Sequence, residues 1–510
     1  MAESRTEKSI KNALTGIIYK MVGIFFPFFI RTVMIKKLGA EYLGLNSLFT
    51  SILQVLSLSE LGIGNAMVYS MYKPMAENNI DRVCALLTLY RKFYTIIASI
   101  ILILGILISP FLKYLINGGY PSDINIYILY FIYLFNTVIS YFLFAYKKSI
   151  LDAMQKVSIE NTIQTVITII MYIFQIIVLI FTKNYYAYII LLPISTIVIN
   201  IFRNSIIKKE YPQYMCRGDV EKEFVVELYK KIKALIGHKI GSNVIWFADS
   251  IVISAFLGLH TLAIYSNYYY IMNAIIGLLA VIYNAILASI GNSLVTEDMD
   301  KNHNDFILLN FANNWIVGWA SICLICLYQP FMEMWMGNDM MFPFYIVVMF
   351  GVYFYSWMFN KVGNTYKNAA GMWREDFWKP YVSSIINLIL NIILVSKIGV
   401  AGVLISTIVA SVFIETPWEA YVLYKYMFKR SGFLYFKQLC MGIMVTILSL
   451  IITYSLCIMI LVENIVLIFS IRVIICLIIP NIIYAIFFLK TKEFSLAITK
   501  FTIIIKNKIG

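Results

Sequence analysis

The residues best placed to do chemistry in this chain are charges set inside long apolar runs. Asp249 lies near the middle of IGSNVIWFADSIVISAFLGL, Ile240 to Leu259, and is its one ionisable residue. A charge in a bilayer interior is costly, so it marks a cargo path, a proton or ion site, or a buried pair. Glu60 in LSELGIG and Glu415 in FIETPW are the other acids of this kind. Each suits proton or sodium coupling, or a structural pair with a cation. Arg31 in FFIRTVMI, Lys361 in FNKVG and Arg472 in SIRVI are the cations. A guanidinium presents a planar fork that takes two phosphate oxygens at once. Arg31, followed by Lys36 and Lys37, therefore either meets an anionic cargo, pairs with Asp249, or snorkels to the headgroups. Lys361 is the next cation in line. Arg472 falls in the last pair of apolar segments and carries the least weight.

Other chemistry is thin. Cys323-x-x-Cys326 is accompanied by no second cysteine pair or histidine, so it reads as two small apolar residues in lipid or at a helix contact. His238, His260 and His303 are dispersed and suggest no metal site. No GxxxxGK[ST] loop occurs, which argues against a nucleotide-driven pump. Neither paired catalytic carboxylates nor a histidine motif marks a membrane face. The expectation is a protein that is not an enzyme and uses no cofactor or metal. A membrane-bound acyl- or glycosyltransferase lacks its catalytic groups here. A non-transporting scaffold of an envelope assembly remains as a reading from another class.

The elements that position these charges are membrane helices. Of 510 residues, 61% are hydrophobic and 13% charged, about half the charged share of a soluble globule. About fourteen apolar segments are long enough to cross a bilayer. The polar start, Met1 to Lys11, leads into a first run long enough to span, which reads as a retained helix without a cleavable signal. The net charge of +14 concentrates in alternate loops, including Lys208, Lys209, Arg217, Lys222, Lys230 and Lys231 between the sixth and seventh segments. That bias predicts cytoplasmic N- and C-termini and an even number of spans. The seven cysteines are scattered and form no disulfide framework.

The chain repeats itself. Leu38-Gly39 followed by Leu43-Gly44-Leu45 recurs without a gap as Leu257-Gly258 followed by Leu262-Ala263-Ile264, at an offset of 219 residues. The predicted architecture is an all-α integral membrane protein of two six-helix lobes related by a pseudo-twofold along the membrane normal, with two further helices at the C-terminus. The predicted parts are an N-terminal lobe over 1–207, a cytoplasmic loop over 208–236, a C-terminal lobe over 237–430, helices 13 and 14 over 431–490, and a basic amphipathic tail over 491–510. Under the offset Arg31 corresponds to position 250, so it sits at nearly the depth of Asp249 on the equivalent helix.

Four stretches carry a resemblance: LGAEYLGLNSL (38–48), SELGIGNAMVYSMY (59–72), ADSIVISAFLGLHTLAIYSNYY (248–269) and KIGVAGVLISTIVASV (397–412). Their order and spacing resemble the polysaccharide (O-antigen type) flippases of the MOP exporter superfamily, relatives of the MATE exporters and lipid II flippases. The resemblance implies two lobes rocking around a central cavity by alternating access. The implied cargo is a polyprenyl-pyrophosphate-linked oligosaccharide, moved from the inner to the outer leaflet for surface polysaccharide biosynthesis. The alternative is a MATE-like cation-coupled multidrug exporter. Implied partners are the lipid-linked oligosaccharide, membrane lipid, and a polysaccharide polymerase and glycosyltransferases, with no nucleic acid. The implied location is a bacterial plasma membrane. Of that family's cationic cavity, Arg31 is the position carried over most readily; the rest of that cavity is poorly matched by motif, and Lys36, Lys37 and Lys361 are further pyrophosphate candidates on their charge and placement alone.

Overall fold

The computed structural model describes residues 5–57, 63–497 and 499, with backbone alone at 5, 6, 9, 65, 227 and 230–246. Among these residues every regular element is a helix and there is no strand. Ten helices are long and apolar enough to cross a membrane, and an eleventh span results if the bent pair Ile126–Phe142 and Ala145–Ala153 is counted as one. The fourteen expected segments differ from this count at three places. Segments 7 and 8 run together as Phe247–Thr296. The segments at 43–70 and 342–366 are divided into shorter helices, Ala40–Leu56 and Ile63–Ala76 in the first, Phe344–Met358 and Lys361–Ala369 in the second.

By packing, the chain forms two compact units, Met1–Ala263 and Ile264–Gly510. The division falls inside one long helix, Lys222–Thr296, rather than in the polar stretch that precedes it. Polarity sets the expected boundary at 208–236; contacts set this one, and they place Asp249 with the first unit.

In the first unit, α1 (Arg5–Lys37) lies along α7 (Val157–Phe181), which also packs on α9 (Leu191–Glu210). α1 stops at Gly39, whose φ of 124° opens the corner into α2 (Ala40–Leu56). The repeat predicts a matching corner at Gly258, and the helix Lys222–Thr296, α10, breaks there at φ 84° and ψ 174°. L-residues avoid this region, which glycine enters without penalty. The break leaves carbonyls in need of donors. Asn117 supplies two, its backbone N–H to Ser254 O at 3.0 Å and its side-chain amide to Phe256 O at 2.6 Å. The Ser254 hydroxyl in turn donates to Leu115 O at 2.7 Å.

The two corners also touch. A Cβ on Gly44 would stand 2.3 Å from Leu259 O, so only glycine lets these backbones approach. Glu41 and His260, equivalent positions under the 219 offset, lie 3.8 Å apart. The sequence repeat is thus a contact between its own copies.

The polar stretch before α10 is fastened to α4 (Ile80–Ile108) by three ion pairs. These are Arg217–Asp81 at 2.8 Å, Lys92–Asp219 at 2.8 Å and Arg82–Glu221 at 2.7 Å.

In the second unit α11 (Met299–Met336) is the central helix, packed against α12 (Phe344–Met358), α17 (Phe433–Ile458) and α18 (Ile465–Phe488). Its buried Asn313 donates to Met358 O at 3.1 Å and Phe359 O at 2.9 Å, closing the open C-terminal end of α12. α14 (Lys379–Ile398) turns at Gly399, φ 61°, into α15 (Val400–Val409). The run then passes through two π-helical segments, Ala410–Glu415 and Leu423–Phe428, that flank α16 (Thr416–Val422).

Candidate functional site

Among the described residues, one cluster of buried charged side chains stands out in each unit. That of the second unit is built where α13 (Lys361–Ala369), the start of α14 and α16 converge. The Lys379 ammonium reaches Asp376 Oδ2 at 3.1 Å and Glu419 Oε2 at 3.3 Å, and Lys367 pairs with the same Asp376 oxygen. Lys367, Asp376, Lys379 and Glu419 are all 5% exposed or less. Asn360 donates to Glu419 Oε2 at 3.1 Å and accepts from Tyr435. Glu415 accepts from the Ser383 hydroxyl at 2.9 Å. Lys361 lies within electrostatic reach of Glu419, Glu415 and Lys379. Below this, Asn387 donates to Thr407 at 3.0 Å and accepts from Asn391 at 3.3 Å.

Three lysines (361, 367 and 379) thus face three acids (376, 415 and 419). The cluster is neutral as a whole, which is how buried charges persist in a low-dielectric setting. It offers no excess of positive charge for an anion. Glu419 Oε1 is buried with no hydrogen-bond partner among the described residues.

The first unit's centre borders a cavity of about 420 Å³ lined by Tyr90, Tyr94, Tyr141, Lys148, Asp152 and Arg203, with amide and hydroxyl side chains between them. Arg203 of α9 grips Glu160 of α7 side-on through one guanidinium edge, Nε to Oε2 at 2.8 Å and Nη2 to Oε1. Gln164 donates to Glu160 at 2.6 Å and Asn200 accepts from Arg203. The pair is 5% and 1% exposed. Such a fork-to-fork pair fixes two helices in register as well as balancing charge.

The expected site residues divide as follows. Lys361 and Glu415, from separate helices, meet in the second unit's cluster. Arg31 is half-buried on α1, within electrostatic reach of the buried Tyr188, and Lys36 and Lys37 are exposed in the last turn of α1. Asp249 is 1% exposed in α10. Glu60 lies outside the described residues. The lysines at 367 and 379, the acids at 376 and 419 and the Arg203–Glu160 pair were not expected. Arg203, Lys367 and Lys379 read as ordinary basic loop residues in the charge pattern. Their signal was an acid within reach on the same or a neighbouring helix, which one sequence does not reveal.

Residues 9–287 match the family model described as polysaccharide biosynthesis protein. An uncharacterised membrane protein of Methanocaldococcus jannaschii is 22% identical over 435 residues, 79% of this chain and 82% of that protein. Among solved structures, a lipid II flippase in an inward closed conformation superposes with a TM-score of 0.69 at 18% identity, covering 94% of this chain and 99% of the flippase. An inward-facing MATE-family multidrug transporter of the MOP superfamily gives 0.61 at 12% identity, covering 77% of this chain and 93% of the transporter.

Proposed function

Since the chain belongs to the polysaccharide biosynthesis protein family, we propose that it is a flippase for a lipid-linked oligosaccharide. It moves a polyprenyl-pyrophosphate glycan from the inner to the outer leaflet of a bacterial plasma membrane by alternating access. The family match carries this reading. The lipid II flippase fold, which spans 94% of the chain against 77% for the MATE transporter, favours it over drug export. The tyrosines, amides and hydroxyls of the first unit's cavity are groups that bind sugars, by stacking on the rings and bonding their hydroxyls.

A pyrophosphate brings at least two negative charges into a medium where each costs several kcal/mol unpaired. Both polar centres described above are internally balanced, so the compensating cations are sought elsewhere. Arg31, with Lys36 and Lys37 one turn nearer the helix end, is the group assigned to that task. Lys361 serves only if its acids are protonated. Asp249 and Glu415 are the acids assigned to coupling. On this reading the protein works with glycosyltransferases that build the cargo and a polymerase that consumes it.

The test is reconstitution. Proteoliposomes with a fluorescent polyprenyl-pyrophosphate oligosaccharide should show protein-dependent loss of inner-leaflet label. Arg31→Ala should lower the rate at least tenfold with normal membrane insertion, and Arg31→Lys should retain part of it. Efflux of cationic dyes without lipid movement would overturn the reading in favour of a drug exporter. Full transport by Arg31→Ala would remove Arg31 from the site.

A further inference from the structure

The second unit contains a cluster of thiols that the transport reading does not use. Cys326 of α11, Cys457 of α17 and Cys476 of α18 bring their three sulfur atoms within 4.8 Å of one another. All three are buried, at 1% exposure or less, and sit among Ile322, Leu327, Leu450 and Tyr454. The sequence pair Cys323-x-x-Cys326 is not the unit of this cluster. Its first thiol turns aside toward the Cys476 carbonyl, at 4.0 Å.

The backbone beneath the thiols is fixed by two prolines. Pro330 and Pro480 each stand four residues after a clustered cysteine, and each removes the amide that would bond that cysteine's carbonyl. The freed Cys326 carbonyl takes Arg472 Nη1 at 3.3 Å. The freed Cys476 carbonyl takes the Trp319 indole N–H at 2.9 Å. The guanidinium is thereby held one helical turn from Cys476, with its Nε buried and free of any hydrogen-bond partner among the described residues.

We propose that Cys326, Cys457 and Cys476 form a three-thiolate site for a soft divalent metal ion, with Arg472 as its counter-charge. Thiolate ligands select soft ions. A trigonal site with metal–sulfur bonds of about 2.3 Å needs sulfurs about 4.0 Å apart, inside the 4.8 Å within which the three sulfurs lie. Binding displaces three thiol protons to solvent, and the three thiolates and the divalent ion leave one negative charge. The Arg472 guanidinium cancels it, so the loaded site is neutral in its apolar setting. The ion would tie α17 and α18 to the central helix of the second unit.

The experiment uses the full chain in detergent, reduced and kept anaerobic, titrated with cadmium. A thiolate-to-cadmium ultraviolet charge-transfer band should saturate at one ion per chain, be competed by zinc, and accompany a rise in Tm. Cys457→Ser should abolish the band and the Tm shift, and Cys476→Ser is the second variant should the first fail to fold. Arg472→Gln should weaken cadmium binding at least tenfold. Cys440→Ser, at an exposed thiol, should change nothing. No band in the wild-type protein, a band that survives both Cys457→Ser and Cys476→Ser, or one lost in Cys440→Ser would overturn the proposal.

Discussion

Lys379 joins Asp376 and Glu419 through a single ammonium group, and its neighbours depend on it for charge balance. Removing one partner of a buried pair costs about 3–5 kcal/mol, because the other charge remains buried. Lys379→Met should therefore lower Tm in detergent sharply. Adding Glu419→Leu should recover part of the loss, since the second change removes a stranded carboxylate. Simple addition of the two penalties in a double-mutant cycle would mean that the residues are not energetically linked. Two of the six charges in this cluster are legible in the sequence. Lys361 and Glu415 stand out because they interrupt apolar runs. Asp376 and Lys379 sit in a polar turn, where charges are unremarkable, and only the turn's inward fold buries them. Arg203 was hidden in the same way among the basic residues that set membrane orientation.

At the level of elements, the glycine corners were the most readable feature. The 219-residue repeat marked both Gly39 and Gly258, and both adopt positive φ. What no sequence pattern showed is that the corners pack on each other through Gly44 and Leu259. Gly44→Ala would place a methyl group against a backbone carbonyl 2.3 Å away. Overpacking of this kind costs about 1–3 kcal/mol. Gly23→Ala is the control: nothing lies within 4 Å of its Cβ position, and alanine is the better helix former. Thermal unfolding in detergent should show a loss for the first and none for the second. Equal Tm values would mean the corners separate at no cost. The π-helical segments on either side of α16 were not legible, because a wide turn needs one extra residue and no particular residue type.

For the whole molecule, the asymmetry of basic residues predicts one orientation. Lys222 is exposed at the start of α10. In intact cells Lys222→Cys should resist a membrane-impermeant thiol reagent and react once the cells are opened, against a background with Cys216 and Cys440 replaced. Reaction in intact cells would reverse the orientation. The connection before Lys222 behaves according to what holds it down. Its three pairs to α4 all involve carboxylates that are at least two-thirds exposed, so dissolved ions compete with every one. At about 1 M salt the screening length shrinks to about 3 Å, close to the pairs' own spacing. The segment is then a clasp whose grip is set by the surrounding electrolyte, with the stacked Tyr211 and Tyr214 and the Cys84 thiol, which donates to Gln213 O at 3.4 Å, beneath it. Trypsin should nick the chain at Arg217 several times faster in concentrated sodium chloride than in dilute buffer, with the membrane helices intact. An unchanged nicking rate would assign the grip to the tyrosines and the Cys84 thiol, and a chain moved between dilute and concentrated media would keep one shape at this face.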